Sequence, residues 1–275
     1  MVSTKLFRIG ESATLKIGLV GPNGYLGQAF FEVLRDIAVV EKFVRGDDLS
    51  KLKNCDVIIN ASGNSSKVLA DRDPVRDLQD NVLFPLSLSL MARDCNSLLV
   101  HISSGEVGNA LKNFKLNDDP IVSLADQTSY TLSKMIGETF VRKHAKKWII
   151  VRPYGLIGKG LRKGPVFDLL RGDPVWVDPR STFRLMRTIT TAELTYQLIL
   201  NHLSGKSTNN TYHLSGSDTL SLEQIASELK IQIVSRPDLP IVNQMFDFES
   251  VPDEIELPSS LDELKFFAEN DLSTS

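Results

Sequence analysis

The sequence is short of cysteine, of charge bias and of long apolar runs, and each shortage excludes a class. Two cysteines, Cys55 and Cys95, in 275 residues are too few for a disulfide framework. Their surroundings read as a strand edge and a helix end in a reducing compartment. Lysine plus arginine (31) against aspartate plus glutamate (34) leaves a net charge of −3, so nothing electrostatic points to nucleic acid. The longest apolar stretches are strand-sized, which predicts no membrane span. Residues 1–14 lack an apolar signal core and read as a short amino-terminal extension, consistent with a cytoplasmic protein. No internal repeat is visible, and no metal site is expected.

What is present is an alternation. Lys16–Val20 is a short apolar run ending at Gly21, and Tyr25–Leu34 follows with apolar residues at helical spacing. Val39–Val44, Asp56–Asn60, Leu98–Ile102 and Trp148–Val151 are further strand-sized runs, with helix-length segments at Leu78–Met91 and Ser129–Lys146. Such a pattern predicts parallel strands covered on both faces by crossover helices. The expected fold class is α/β, a Rossmann-type doubly wound parallel sheet over residues 15–158. From residue 159 the chain is rich in glycine, proline and basic residues. Helices are expected at Thr191–Leu203 and Leu222–Leu229, with a strand at Thr211–Leu214. Residues 159–275 therefore read as a smaller carboxy-terminal α/β substrate lobe, partly interleaved with the main sheet. In its tail, Ser260 and Glu263 stand at capping-box spacing before a short helix.

The segment Gly21-Pro22-Asn23-Gly24-Tyr25-Leu26-Gly27 joins the first strand to the first helix. Glycines there permit a sharp turn and close backbone approach to a pyrophosphate, which the helix amino terminus attracts. The spacing is G-x-x-G-x-x-G, not the general G-x-G-x-x-G fingerprint. An acidic residue about twenty positions later would hold adenosine ribose hydroxyls, and Asp47 and Asp48 are the candidates. Arg45 would instead suit a ribose 2′-phosphate, and Asp48-Leu49 would suit the adenine edge. The choice between NAD and NADP stays open.

Tyr130 and Lys134 are four apart in a helical segment, hence on one face. A phenol with a pKa near 10 is a poor base at neutral pH. An ammonium roughly 4 Å away would favour phenolate by about 4 kcal/mol at an effective dielectric of about 20. The pair alone is common by chance. Ser104 adds weight, because it lies just past the Leu98–Ile102 strand, at the edge where open α/β sheets bind ligands. A hydroxyl there stabilises an alkoxide forming at a substrate carbonyl.

Taken in order, these motifs resemble the extended branch of the short-chain dehydrogenase/reductase superfamily, the nucleotide-sugar epimerases, dehydratases and reductases. GPNGYLG resembles its glycine loop, and NASG (Asn60–Gly63) the segment passing beneath the cofactor. Asn81 in DNVLFPL resembles its helix asparagine. HISSGEVG carries Ser104 at the hydroxyl position, YTLSK carries Tyr130 and Lys134, and VRPYGLIGKG resembles the Arg-Pro stretch beside the nicotinamide. The resemblance covers about residues 15–232. It implies an NAD(P) cofactor contacted by Gly21, Asn23, Gly24, Tyr25, Leu26, Gly27, Arg45, Asp48, Leu49, Ala61, Ser62, Gly63, Asn81, Lys134 and Pro153. It further implies that Tyr130 exchanges a proton with the substrate oxygen, Lys134 lowers the tyrosine pKa and holds the ribose, and Ser104 orients the carbonyl.

Departures from the family pattern narrow the expected chemistry. Where V-Y-G is common, Val107 is followed directly by Gly108, so one aromatic wall is missing or replaced. The Asp-Glu pair of sugar 4,6-dehydratases falls on Gly105 and Glu106, which argues against dehydration. The diphosphate-gripping arginine falls on Met186, with Arg184 or Arg187 as substitutes. The expected substrate contacts are thus Ser104, Glu106, Tyr130, Arg184 and Arg187. The leading expectation is a 4-keto nucleotide-sugar reductase. An epimerase that retains NAD and a non-catalytic dinucleotide-binding sensor or scaffold are the alternatives. Family analogy also implies a homodimer through a four-helix contact.

Overall fold

Runs of Val, Ile and Leu without polar alternation need cover on both faces, and this chain supplies it. The computed structural model describes residues 14–113, 124–243 and 251–272. Of the expected extension at 1–14, only the last residue lies among them. The strands are β1 (Lys16–Val20), β2 (Val39–Phe43), β3 (Val57–Asn60), β4 (Leu98–Ile102) and β5 (Lys147–Pro153). Three two-residue strands follow, β6 (Leu156–Ile157), β7 (Thr182–Phe183) and β8 (Met186–Arg187), then β9 (Asn210–Leu214) and β10 (Leu220–Ser221). Six of them form one parallel sheet in the order β2-β1-β3-β4-β5-β9. β3 and β4 are buried along their whole length, as central parallel strands must be.

One face of the sheet packs on helices Tyr25–Leu34 and Thr188–Leu203 around Ile17, Leu19, Phe30, Val100 and Leu198. The other face packs Val20, Ile58, Leu99 and Ile150 against Leu88 and Ala92 of helix Phe84–Cys95 and Val141 of helix Ser129–His144. β9 pairs with β5, so the carboxy-terminal half returns to complete the main sheet. A second apolar cluster includes Val166, Leu169, Phe183, Ile225, Leu264 and Phe267. Cys55 is buried and Cys95 half-buried, both as free thiols. Among the described residues no helix is long and apolar enough to cross a membrane.

The strand order reverses direction at β1, because the chain runs outward to β2 and then returns to β3 on the other side. The crevice at the carboxyl ends of β1 and β3 is thus a topological switch point, where open α/β sheets bind ligands. Gly21 ends β1 there, and Ala61, Ser62 and Gly63 leave β3 beside it.

One boundary differs from the sequence expectation for a clear reason. The carboxy-terminal helix Ser260–Phe266 is capped by Ser259, whose hydroxyl accepts from the Leu261 and Asp262 amides. Ser260 is not the cap, since its hydroxyl donates to the Asp218 carbonyl at 2.6 Å and accepts from the Leu185 amide at 3.0 Å. Glu263 is likewise drawn away, to Arg187 and Thr190.

Candidate active site

The glycine turn is shaped by its contact with the β3 loop. Gly21 has φ +81, and a Cβ there would lie 2.8 Å from the Ser62 backbone. A Cβ on Gly27 would collide with the Gly21 carbonyl. Gly24 has an extended conformation open to any residue (φ −71, ψ 164), so the demand for glycine falls on its two neighbours. Helix Tyr25–Leu34 begins without a side-chain cap. Its first amides are therefore available to an anion. Asn23 and Leu26 sit in this turn, Asn23 exposed and Leu26 buried. The Tyr25 hydroxyl donates to the Gly158 carbonyl at 3.4 Å, across the cleft.

Beyond β2, the expected adenosine contacts have local partners. Asp47 accepts from the Val44 amide at 2.7 Å. Asp48 accepts from the Ser50 amide at 2.9 Å and the Ser50 hydroxyl at 2.7 Å, which holds its carboxyl below the usual carboxylate range. Leu49 packs against the sheet core. Arg45 pairs with Asp80 at 2.9 Å, and Asp80 also holds Arg76 at 3.2 Å.

Tyr130 lies in the first turn of helix Ser129–His144, capped by the Thr128 side chain, and Lys134 follows one turn later. Both are buried, at 7% and 4% exposure. The Ser104 hydroxyl, half-buried just past β4, hydrogen-bonds to the phenol and accepts from the Glu106 amide at 3.3 Å. The structure thus brings together the three residues expected to react.

Their electrostatics differ from the sequence argument. Burial pushes the Tyr130 phenol up to about 12, opposed by the Ser104 hydrogen bond. Burial pulls the Lys134 ammonium down to about 8, opposed by Asp77 and Glu138. The ammonium lies 6.0 Å from the Tyr130 ring centre. Withdrawal from water, reinforced by the Glu106 and Asp77 carboxylates, outweighs Ser104, and the phenol is held protonated.

Asn81 sits in a single π-helical turn, Gln79–Leu83, of the kind that marks functional sites. Its amide donates to Asp77 at 2.8 Å and to Ser133 at 3.2 Å, while its Oδ1 is buried without a partner. A Cβ on Gly63 (φ +119) would lie 2.6 Å from that oxygen and 3.4 Å from the Lys134 amine. Asn81, Gly63 and Lys134 therefore pack together, too closely for a side chain at position 63. Pro153 closes β5, paired with Leu214.

Several site residues carried no clear sequence signal. Lys67 pairs with Glu106 at 3.1 Å. The Tyr154 ring packs against Gly105, whose Cβ it would exclude, and the His213 ring does the same at Gly108. The aromatic wall is thus replaced by rings from the ends of β5 and β9. Glu138, one turn past Lys134, grips Arg152 with both oxygens (2.8 and 2.6 Å) and accepts from Ser103 at 2.6 Å.

The two candidate diphosphate arginines are both engaged by protein groups. Arg184 donates to the Gly216 and Ser217 carbonyls at 3.1 and 2.8 Å. Arg187 pairs with Glu263 at 3.3 Å and stacks over Phe266 at 3.7 Å. Arg187→Ala is therefore expected to destabilise the docked carboxy-terminal helix, by about 1–3 kcal/mol, with little change in substrate KM. Parallel thermal melts and kinetics check this; a raised KM with unaltered melting would return Arg187 to the substrate. Among the described residues no cluster of His, Cys, Asp or Glu is suited to a metal ion.

Residues 16–244 match the family described as the RmlD substrate binding domain. No curated protein sequence matches the chain. Among solved structures, it resembles dTDP-4-dehydrorhamnose reductase from Bacillus anthracis in complex with NADP. That match has TM-score 0.75 and 20% identity, over 94% of this chain and 100% of that one. A dTDP-4-dehydrorhamnose reductase from Clostridium acetobutylicum follows at TM-score 0.73 and 20% identity, over 95% and 100%. UDP-glucose 4-epimerase from Thermotoga maritima, with UDP-glucose, gives TM-score 0.73 and 15% identity, over 94% and 99%. The chain belongs to the RmlD substrate binding domain family, within the extended short-chain dehydrogenase/reductases.

Proposed function

We propose that the chain is an NAD(P)-dependent reductase of a nucleotide-linked 4-keto sugar, with residues 15–158 holding the dinucleotide and residues 159–275 completing the sugar pocket. The observation that carries the reading is the meeting of the buried Tyr130 phenol with Ser104 and with Lys134, one turn on, at the carboxyl edge of the sheet. A dinucleotide suits the neighbouring residues on three counts. The uncapped helix start offers amides to a pyrophosphate. The Gly63 backbone closes on Asn81 and Lys134, so a ligand there would meet main chain and both polar side chains together. The buried Asn81 Oδ1 needs a donor such as a ribose hydroxyl. Similar structures carry NADP in one case and NAD in another.

Held by the glycine turn, Asn81 and Lys134, a reduced nicotinamide dinucleotide would supply hydride for a substrate carbonyl. Ser104 donates to the carbonyl oxygen, and Tyr130 delivers its phenolic proton as negative charge develops there. Lys134 stabilises the phenolate left behind. Reduction needs a proton for the alkoxide it forms, and the Tyr130 phenol, pushed up by burial, carries one at neutral pH. An epimerase must first take a proton from a hydroxyl and needs the phenolate. Gly105, where a dehydratase carries an acid, packs under Tyr154 and leaves no proton donor at that position.

A pH dependence follows. The Lys134 ammonium loses its proton as the pH rises through about 8, and the new phenolate then lacks its counter-charge. Reduction is expected to stay level below about pH 8 and to fall above it, by up to about tenfold per pH unit. A profile level well beyond that point would remove Lys134 from this role.

The same reading includes a cytoplasmic homodimer through helix Ser129–His144, which a solution mass of two chains would support. The reaction itself is tested by mass measurement of any dinucleotide carried through purification, followed by a panel of nucleotide-linked keto sugars. Turnover of none of them with either reduced cofactor would overturn the reading.

A further inference from the structure

The segment 158–164, Gly-Lys-Gly-Leu-Arg-Lys-Gly, leaves β6 and enters helix Pro165–Arg171 of the smaller lobe. Gly158, Gly160 and Gly164 all have positive φ. Space around Gly160 and Gly164 is open, so those glycines serve the path of the backbone and not close packing. That path ties the segment to both rims of the cleft. At one rim the Gly158 carbonyl accepts from Tyr25 of the glycine turn. At the other, the Lys163 amine donates to the Ser65 carbonyl and, at 3.1 Å, to the Ser65 hydroxyl.

The charges around Lys163 do not balance. The side chain is exposed at the surface, yet partial burial and the charge of Lys67 both lower its pKa, and it acts electrostatically on Lys134 as well. Lys67 is neutralised by Glu106 at 3.1 Å. Asp77, the acid closest in effect to Lys134, is shared with the Asn64 and Asn81 amides. Among the described residues no carboxylate pairs with Lys163, whose two hydrogen bonds go to neutral oxygens. An ammonium partly removed from water without a counter-ion is an attractive seat for an anion.

We propose that Lys163, held across the cleft by Ser65, binds an oxyanion of the substrate, either a carboxylate on the sugar or the diphosphate that links sugar to nucleotide. The proposal rests on the nucleotide-sugar reading above. It places the anion contact on the Gly158–Gly164 segment, where Arg184 and Arg187 were the residues expected from sequence.

The test is binding, measured by calorimetry without turnover on wild type, Lys163→Met and the charge-preserving Lys163→Arg. The probes are uridine and thymidine diphosphates, their neutral hexose conjugates, the uridine-linked hexuronic acid, and NADPH. Lys163→Met is expected to weaken binding by about ten- to a hundredfold. Lys163→Arg should recover most of the loss, and added salt should weaken wild type more than the methionine variant. A loss confined to the hexuronic acid identifies the carboxylate; an equal loss for the free diphosphates identifies the diphosphate. NADPH affinity is expected to be unchanged. Unchanged binding of every nucleotide-linked probe in Lys163→Met, or a loss confined to NADPH, overturns the proposal alone. A wild type that binds none of the nucleotide-linked probes overturns the functional reading and this proposal together.

Discussion

Tyr130→Phe is expected to lower turnover by about 10²- to 10⁴-fold while leaving dinucleotide affinity within a factor of two or three. The substitution deletes one oxygen from a site that is 7% exposed and keeps the ring in place. What is lost is the proton donor, and a positioned acid contributes about that range. The remaining rate would come from Ser104 and from holding the reactants together. The companion variant Ser104→Ala removes the hydrogen bond that opposes the burial of the phenol. It should lower kcat less than Tyr130→Phe does. Full activity in Tyr130→Phe would remove the phenol from the reaction, whatever Ser104→Ala does.

Glu138→Ala is expected to have the largest effect on stability. The carboxylate is buried and receives Arg152, Ser103 and, at 2.9 Å, Arg142. Removing it strands the Arg152 guanidinium, 6% exposed, without a counter-charge. Breaking a buried pair from one side costs about 3–5 kcal/mol, a fall in melting temperature on the order of 10 °C for a chain of this size. Arg152 also contacts His213 at 3.2 Å, so the disturbance reaches β9. Glu138 titrates below its ordinary value in the fold because of Arg152. Its stabilising effect is therefore complete above the unfolded-state pKa and is lost as the pH falls through the lower folded one. A melt in which Glu138→Ala matches wild type at neutral pH would contradict this account of the cluster. Because Ser103 adjoins Ser104, a milder Glu138→Gln variant should also loosen the hydroxyl that faces Tyr130.

Much of this was legible before the fold was known, for identifiable reasons. LLVHI and the VIIN of DVIIN have no polar alternation, so they read as central parallel strands and are buried as such. Ser104 and Tyr130 announce themselves by position, one at a strand end and the other a turn ahead of a lysine. Partners made by chain distant in sequence were not legible. Lys163 reaches Ser65, Arg152 reaches Glu138, and Tyr154 covers Gly105, and no local spacing encodes any of these contacts. Competition for a side chain was equally hidden. Glu263 fits a capping box in sequence, but Arg187 claims it in the fold. Asp48, a ribose candidate in sequence, also closes a turn on Ser50. The same limit applies to the phenol. Spacing placed the ammonium beside Tyr130, whereas the depth of burial, which decides the sign of the pKa shift, is a property of the assembled lobes.

The central claim, reduction by a protonated Tyr130, is tested most directly by cofactor stoichiometry with a 4-keto nucleotide sugar. The account predicts one reduced nicotinamide consumed for each alcohol formed, with no product when reduced cofactor is omitted. Steady conversion of a nucleotide sugar to its epimer with no added reduced cofactor would contradict it.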